Sequence, residues 1–226
     1  MPTAVILAAG RGERMRPLTD TIPKPLLKVG GKPIIAWQVH RLAAGGFREL
    51  VVNHSHLGHM IERSLGDGSR YGVKIRYSHE PKALETAGGI VQAMHLLGSE
   101  PFAVVSGDIY TEFDYGSLLA RAAQIAADPG STAAHLVLAD KPGFHADMSV
   151  EAGRASRAAP CFTYGNIAVF HPALFADVAP GTSLKLFPWA YRFVDAGRVS
   201  GERFTGVWEN IGTPQQLDDL DRRLSR

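Results

Sequence analysis

The sequence predicts an α/β fold: a Rossmann-like, mostly parallel mixed sheet with helices on both faces. Three observations predict it. Short apolar runs alternate with helical stretches from residue 3 to residue 139. Most of those runs are rich in Val, Ile, Leu and Ala, as strands covered on both faces are. Glycine turns leave two of them, at Gly10-Arg11-Gly12 and at Gly107-Asp108.

Thr3–Ala9 is the opening strand. Pro33–Ala44 is a helix, with proline in its first turn and Gly45-Gly46 as its stop. Glu49–Asn53 is a strand, Leu57–Leu65 a short helix closed by Gly66, and Val73–Ser78 an alternating strand. Thr86–Leu97 reads as a helix, Phe102–Ser106 as a fully apolar strand, Tyr115–Ala127 as an alanine-rich helix and Thr132–Ala139 as a strand. Beyond Asp140 the chain turns polar, with a hairpin expected around Gly153. Phe162–Phe170 is then a strand, Ser183–Ala196 a helix with Trp189, Tyr191 and Phe193 in its core face, and Val199–Phe204 a strand. Thr213–Leu224 is a terminal amphipathic helix, with Thr213 as cap and Pro214 at its first position. There is no repeat or flexible linker, so residues 1–226 are expected as one domain. Its second part, from about residue 140, is expected to pack on the first as a subdomain.

The most informative stretch is 7–27. Strand, glycine turn, three arginines and a lysine clamped between Pro23 and Pro25 follow one another closely. Glycine lets backbone approach a polyanion that a Cβ would exclude. Successive N–H groups in such a turn form a concave anion site. The stretch is therefore a loop for wrapping a nucleoside triphosphate. It is neither a dinucleotide fingerprint, since Met15 stands where the third glycine would be, nor a P-loop, since no G-x-x-x-x-G-K-[ST] run occurs.

The pattern L-A-A-G-x-G-x-R-M-x-P-L-T…P-K-P-L resembles the sugar-1-phosphate nucleotidyltransferases (nucleotide-sugar pyrophosphorylases), and the likeness runs through the whole chain in order. Asn53-His54, Leu65-Gly66-Asp67-Gly68-Ser69 and Leu84-Glu85-Thr86-Ala87-Gly88-Gly89 are similar to the uridylyltransferases of bacterial cell-wall recycling. The resemblance implies a glycosyltransferase-A-like nucleotidyltransferase fold, with a nucleotide-binding half over about 1–139 and a sugar-side part over about 140–226. It also implies UTP and a sugar 1-phosphate, N-acetylmuramate 1-phosphate first, as substrates. The alternatives are a mannose- or heptose-1-phosphate guanylyltransferase, disfavoured because those relatives usually carry glycine where Glu85 stands, and a non-catalytic nucleotide-sugar binding module, which the neutral Asn210 keeps open and Arg16, Lys24 and Asp108 argue against.

Site roles follow from the same resemblance. Ala9, Gly10, Arg11 and Gly12 are implied as the triphosphate cradle, Arg16 as the arginine on the departing pyrophosphate, and Lys24 as the bridge between α-phosphate and sugar phosphate. Arg14 is expected to pair with Glu13 or Asp20 at the surface. Glu85, Thr86 and Gly88 are implied as base contacts, although Thr86 also fits a plain helix cap. Asn166, in Tyr164-Gly165-Asn166, is implied on the sugar; Asp147, beside His145, is a further sugar-side expectation. Asn53 fits either a sugar or a main-chain contact, and Glu80 is expected to be structural. Magnesium is implied at Asp108 and at Asn210, where W-x-D-x-G-T-P has become Trp208-Glu209-Asn210-Ile211-Gly212-Thr213-Pro214. An amide oxygen ligates magnesium without contributing charge.

Composition sets the outer limits. Net charge is +2, with no run of five basic residues, which argues against a nucleic-acid partner. No apolar segment has the length of a membrane span, and the N-terminal run is short with no charged start, so a cytoplasmic protein is expected. Cys161 is the single cysteine and is read as a small buried hydrophobe. His54, His56 and His59 lie close in sequence, with no cysteine near to complete a zinc set.

Overall fold

A computed structural model describes residues 2–225. The elements are β1 (Thr3–Leu7), β2 (Lys28–Val29), β3 (Lys32–Pro33), α1 (Ile34–Ala44), β4 (Glu49–His54), α2 (Gly58–Leu65), β5 (Lys74–His79), α3 (Glu85–Ala93) and β6 (Phe102–Ser106). There follow β7 (Ile109–Thr111), α4 (Ser117–Ala127), β8 (Ala134–Ala139), β9 (Ser149–Glu151), β10 (Arg154–Ser156), β11 (Thr163–Phe170), α5 (Leu186–Trp189), α6 (Tyr191–Asp195), β12 (Val199–Phe204), β13 (Trp208–Asn210) and α7 (Pro214–Leu224).

Nine strands form one sheet in the order β5-β4-β1-β6-β11-β8-β12-β10-β9. The pairs β1–β4, β1–β6, β4–β5 and β8–β12 are parallel, and β11 runs antiparallel to both neighbours. The expected boundary near residue 139 is therefore not a seam. β11, from the second part of the sequence, is inserted between β6 and β8 of the first, so both parts share one sheet.

Strand pleating sends alternate side chains to opposite faces. Ile6, Val52, Val105 and Val137 pack with Ile35, Val39 and Leu42 of α1 and Leu118 and Ile125 of α4. Val5, Val51, Val104 and Leu136 pack on the other face with Ile90 and Val91 of α3, Leu186 of α5 and Val194 of α6. A smaller cluster joins Met15, Val29, Ile34, Tyr110 and Ile211 to Leu217 and Leu220 of α7. That helix starts on a reciprocal cap. Thr213 accepts from Gln216 N–H at 3.3 Å, and the Gln216 side chain accepts from Gly212 N–H at 2.7 Å.

Two expectations are corrected. The helix expected over 183–196 is two short pieces that meet at Ala190, and the first is itself kinked where Phe187 is extended (φ −111°, ψ 136°) ahead of Pro188. A following proline disfavours helical backbone at the residue before it. Trp189, Tyr191 and Phe193 nevertheless pack at the edge of the core, Trp189 stacking on Phe175 with ring centroids 5.0 Å apart. Cys161 is exposed, not buried, because it stands in the loop leading to β11. Among the described residues, no helix is long and apolar enough to cross a membrane.

Candidate active site

Three parallel strands end together. Leu7 is in register with Asn53 on one side and Ser106 on the other, so the segments following β1, β4 and β6 open at one edge of the sheet. Ligands of open α/β sheets bind beyond such carboxyl ends. Here two adjoining depressions share Leu7, Gly10, Arg11 and Asp108. The first is completed by Gly12, Arg14, Lys24 and Gly212, the second by Ala9, Asn53, Glu80, Glu85, Thr86, Ser106 and Asn166.

The turn after β1 shows why its glycines differ. Gly12 has φ +69°, and a Cβ there would stand 3.1 Å from the side chains of Lys24 and Thr19. Buried Thr19 donates its hydroxyl to the Gly12 carbonyl at 2.9 Å. Gly10 has neither positive φ nor any neighbour within 4 Å of an added Cβ. The space it leaves is the cleft itself. Lys24 is 8% exposed, and its ammonium forms an ion pair with Asp108 Oδ2. Asp108 Oδ1 accepts from Ser106 Oγ at 2.6 Å.

The opposite wall is the start of α3. Glu85 has φ +63°, a strained conformation for a residue with a Cβ, and it lines the second depression. Leu184 O accepts from Ala87 N–H at 2.9 Å and Gly88 N–H at 3.1 Å, so the first-turn donors are satisfied by backbone. The helix has no side-chain cap, so Thr86 does not serve as one, and it lines the second depression. Asn166 has φ +56° and lies where the β8–β11 register shifts, between Tyr164 and Ile167. Such a bulge re-aims a side chain, and Asn166 lines the cleft.

Several expected roles are not what the structure supports. Arg16 does not line either depression; it is exposed, and its Nε pairs with Asp20 Oδ1 at 3.2 Å. Arg14 takes the cleft position instead. Its guanidinium lies against Gly212, where an added Cβ would come within 3.0 Å of it. The physical reason is Met15 between them: its side chain is fully buried, so the two arginines leave the turn on different sides. The motif L-A-A-G-x-G-x-R-M-x-P-L-T already carried this signal, since it places its arginine at position 14 and leaves 16 free. Arg11 also reaches Asp20, at 3.4 Å, and donates to Thr19 O at 2.7 Å.

Gly88 is a packing glycine, not a ligand contact; an added Cβ would stand 2.2 Å from the Thr182 carbonyl. Asn53 makes the main-chain contact, accepting from Ala8 N–H at 2.7 Å. Asp147 lines neither depression, because its Oδ2 accepts from Tyr164 N–H at 2.8 Å and Thr163 Oγ1 at 3.1 Å. Asn210 also lines neither. It sits opposite Ile109 across the β7–β13 pair, and its neighbour Ile211 donates to the Asp108 carbonyl at 3.2 Å. Glu209 points elsewhere, accepting from Lys141 at 3.0 Å and Arg223 at 2.9 Å. His54 is buried, with Nε2 2.7 Å from Glu62 Oε1, while His59 is exposed. Among the described residues no group of three His, Cys, Asp or Glu could hold a metal ion. Ser106 lines the cleft without having been singled out by sequence patterns, and Glu80, expected to be structural, also borders it while bonding Asn53 and Leu84 N–H. Glu80 is 1% exposed, and burial pushes its carboxyl above the ordinary range, opposed by the Leu84 N–H and the Asn53 amide.

The profile of the family described as Nucleotidyl transferase matches residues 3–144, more than half of the chain. The chain belongs to this family. The N-acetylmuramate alpha-1-phosphate uridylyltransferase of Neisseria meningitidis serogroup B is 45% identical to this transferase over 96% of its chain and 95% of the relative. The Caulobacter vibrioides protein of the same name is 35% identical over 98% and 96%. A solved Bacillus anthracis chain described as a glucose-1-phosphate thymidylyltransferase superimposes with a TM-score of 0.85, covering 100% of this transferase and 96% of that chain. At 19% identity that likeness is one of fold.

Proposed function

We infer that this transferase moves a uridylyl group from UTP to N-acetylmuramate 1-phosphate, releasing pyrophosphate. The observation that carries the chemistry is the Lys24–Asp108 pair, which stands where the two depressions meet. One depression is lined by Arg11, Arg14, Lys24 and three glycines, with Glu13 and Asp108 as its two carboxylates, a net positive lining suited to a triphosphate; the other is bounded by Glu85, Thr86 and Asn166, polar groups suited to base and sugar. The two uridylyltransferase relatives, aligned along nearly the whole chain, support the choice of UTP and of the sugar.

A sugar phosphate oxygen attacks the α-phosphorus, a new P–O bond forms, and the bond to the β-phosphate breaks in line. The attacking phosphate is mostly dianionic at neutral pH, with its second pKa near 6, so no general base is needed. The difficulty is to hold two anions together. Lys24 lies between them and offsets charge on both. Arg14 takes the pyrophosphate side in place of Arg16, and the backbone of Gly10–Gly12 cradles the β and γ groups.

The Asp108 carboxylate, 28% exposed and open to both depressions, fits a magnesium ion held by one carboxylate and the substrate's phosphate oxygens. Asp108 would hold it, and the ion would supply charge neutralisation at the phosphates. The test is pyrophosphate release with UTP, GTP, dTTP and CTP, each crossed with several sugar 1-phosphates. UTP with N-acetylmuramate 1-phosphate is expected to give the highest kcat/KM. Turnover with GTP while UTP stays inert contradicts the assignment.

A further inference from the structure

The Asn53–Glu80 pair lies between the two walls of the cleft, and the chemistry above does not use it. Asn53, next to last in β4, is 2% exposed. Its Oδ1 accepts from Ala8 N–H at 2.7 Å, the residue from which the phosphate turn departs. Its Nδ2 donates to Glu80 Oε1 at 2.6 Å. Glu80 Oε2 then accepts from Leu84 N–H at 2.8 Å, immediately before strained Glu85. The amide orientation is dictated by its partners, since Ala8 N–H needs an acceptor and the carboxylate needs a donor. Gly89 makes room for the pair: an added Cβ would stand 2.6 Å from Asn53 Nδ2 and 2.7 Å from Glu80 Oε1.

A continuous buried chain thus runs from the turn at Ala8 to the start of α3 at Leu84. A carboxylate is costly at such a site, and an apolar pair of similar volume often supports a fold equally well. What the polar pair adds is direction: each link has one allowed donor and one allowed acceptor.

We propose that Asn53 and Glu80 are positioning residues that set the spacing between the triphosphate turn and the base-side wall, so that one nucleotide spans both. The proposal rests on the nucleotide reading of the cleft. The pair acts through Ala8 and Leu84, without touching the reacting atoms. Glu80→Gln puts an NH2 group against either Asn53 Nδ2 or Leu84 N–H. Asn53→Asp puts a second carboxylate against Glu80. Combining the two substitutions reverses the central hydrogen bond. The new amide NH2 at position 80 donates to the new carboxylate at position 53. That carboxylate still accepts from Ala8 N–H, and the amide carbonyl at position 80 still accepts from Leu84 N–H.

UTP affinity is measured by calorimetry on the wild type and the three variants, alongside KM for both substrates. Each single variant is expected to weaken UTP binding and raise its KM by about tenfold, the scale of one lost buried hydrogen bond. The KM for the sugar 1-phosphate is expected to stay within about twofold, and the double variant to return UTP affinity to within about threefold of wild type. Singles that bind UTP as tightly as wild type overturn the proposal, even if their melting temperatures fall. So does a double variant that folds but binds UTP about tenfold or more weakly than wild type, which keeps the test decisive if a single variant does not fold. A wild-type protein that binds no UTP overturns the nucleotide reading itself, a different outcome from either.

Discussion

Lys24 and Asp108, 84 residues apart in sequence, meet as an ion pair at the centre of the cleft. Lys24 arrives on the segment clamped by two prolines, Asp108 on the turn after β6. Neither partner is fully exposed, so screening by solvent is incomplete. Lys24→Met keeps the stem and removes the charge. It is expected to lower kcat by about 10²–10³-fold, the scale of removing one preorganised electrostatic contact. Circular dichroism and steady-state kinetics on one preparation check this; kcat within a few fold of wild type contradicts the role.

Arg14 and Arg16 make a paired prediction, because Met15 turns them to different sides. Arg14→Ala is expected to lower kcat/KM for UTP by about 10²-fold or more. Arg16→Ala removes an exposed pair with Asp20, worth about 1 kcal/mol at most, and is expected to leave kcat/KM within about fivefold. Side-by-side kinetics decide it. The reverse ranking would return the pyrophosphate to Arg16.

Gly88→Ala tests packing on the base-side wall. Alanine is the better helix former by about 1 kcal/mol. Its methyl, however, would stand 2.2 Å from the Thr182 carbonyl, on the segment whose Leu184 carbonyl satisfies the first turn of α3. Overpacking is expected to win, with a net loss of about 1–3 kcal/mol in chemical denaturation. An unchanged midpoint would mean the 182–184 segment moves aside freely.

Stability is expected to fall on acidification, and His54 acts first. Burial lowers its pKa from 6.5, with the Glu62 carboxylate opposing. The unfolded chain therefore takes up a proton near pH 6.5 while the folded chain resists, so stability present above that pH is lost as pH falls towards the folded value. Glu202 adds to this at lower pH. The His135 ring beside it, ahead of Arg121, holds its carboxyl below the ordinary 4.5, so its contribution is present above 4.5 and lost below. Urea midpoints from about pH 7.5 to about pH 5 are expected to drop, and His54→Gln to flatten the slope. An equal slope in that variant would remove His54 from the account.

The strands that sequence patterns located best are those whose apolar runs are cut off by turns. Phe102–Ser106 and Val199–Phe204 begin and end where expected. β7 and β13 were not legible, because three-residue strands exist only through their mutual pairing, Trp208 against Thr111. The phosphate turn was legible from its glycines and cations, and so was its cleft arginine, since the motif fixes Arg14 and leaves position 16 free. Gly88 reads as a ligand contact in the sequence alone, because the Thr182 segment that faces it lies far along the chain. Asp147 looked free for a sugar because its backbone partner, Tyr164 N–H, lies 17 residues away.

The central claim is that one nucleotide lies across both depressions, its phosphates on the turn and its base on the α3 wall. A crystal structure with a non-hydrolysable UTP analogue and magnesium tests it most directly. The account predicts β and γ oxygens within hydrogen-bond reach of the Gly10–Gly12 amides and Arg14, the α-phosphate at Lys24, and the uracil against Glu85 and Thr86. Phosphates bound away from that turn, or a base outside the wall formed by Glu85 and Thr86, would contradict it.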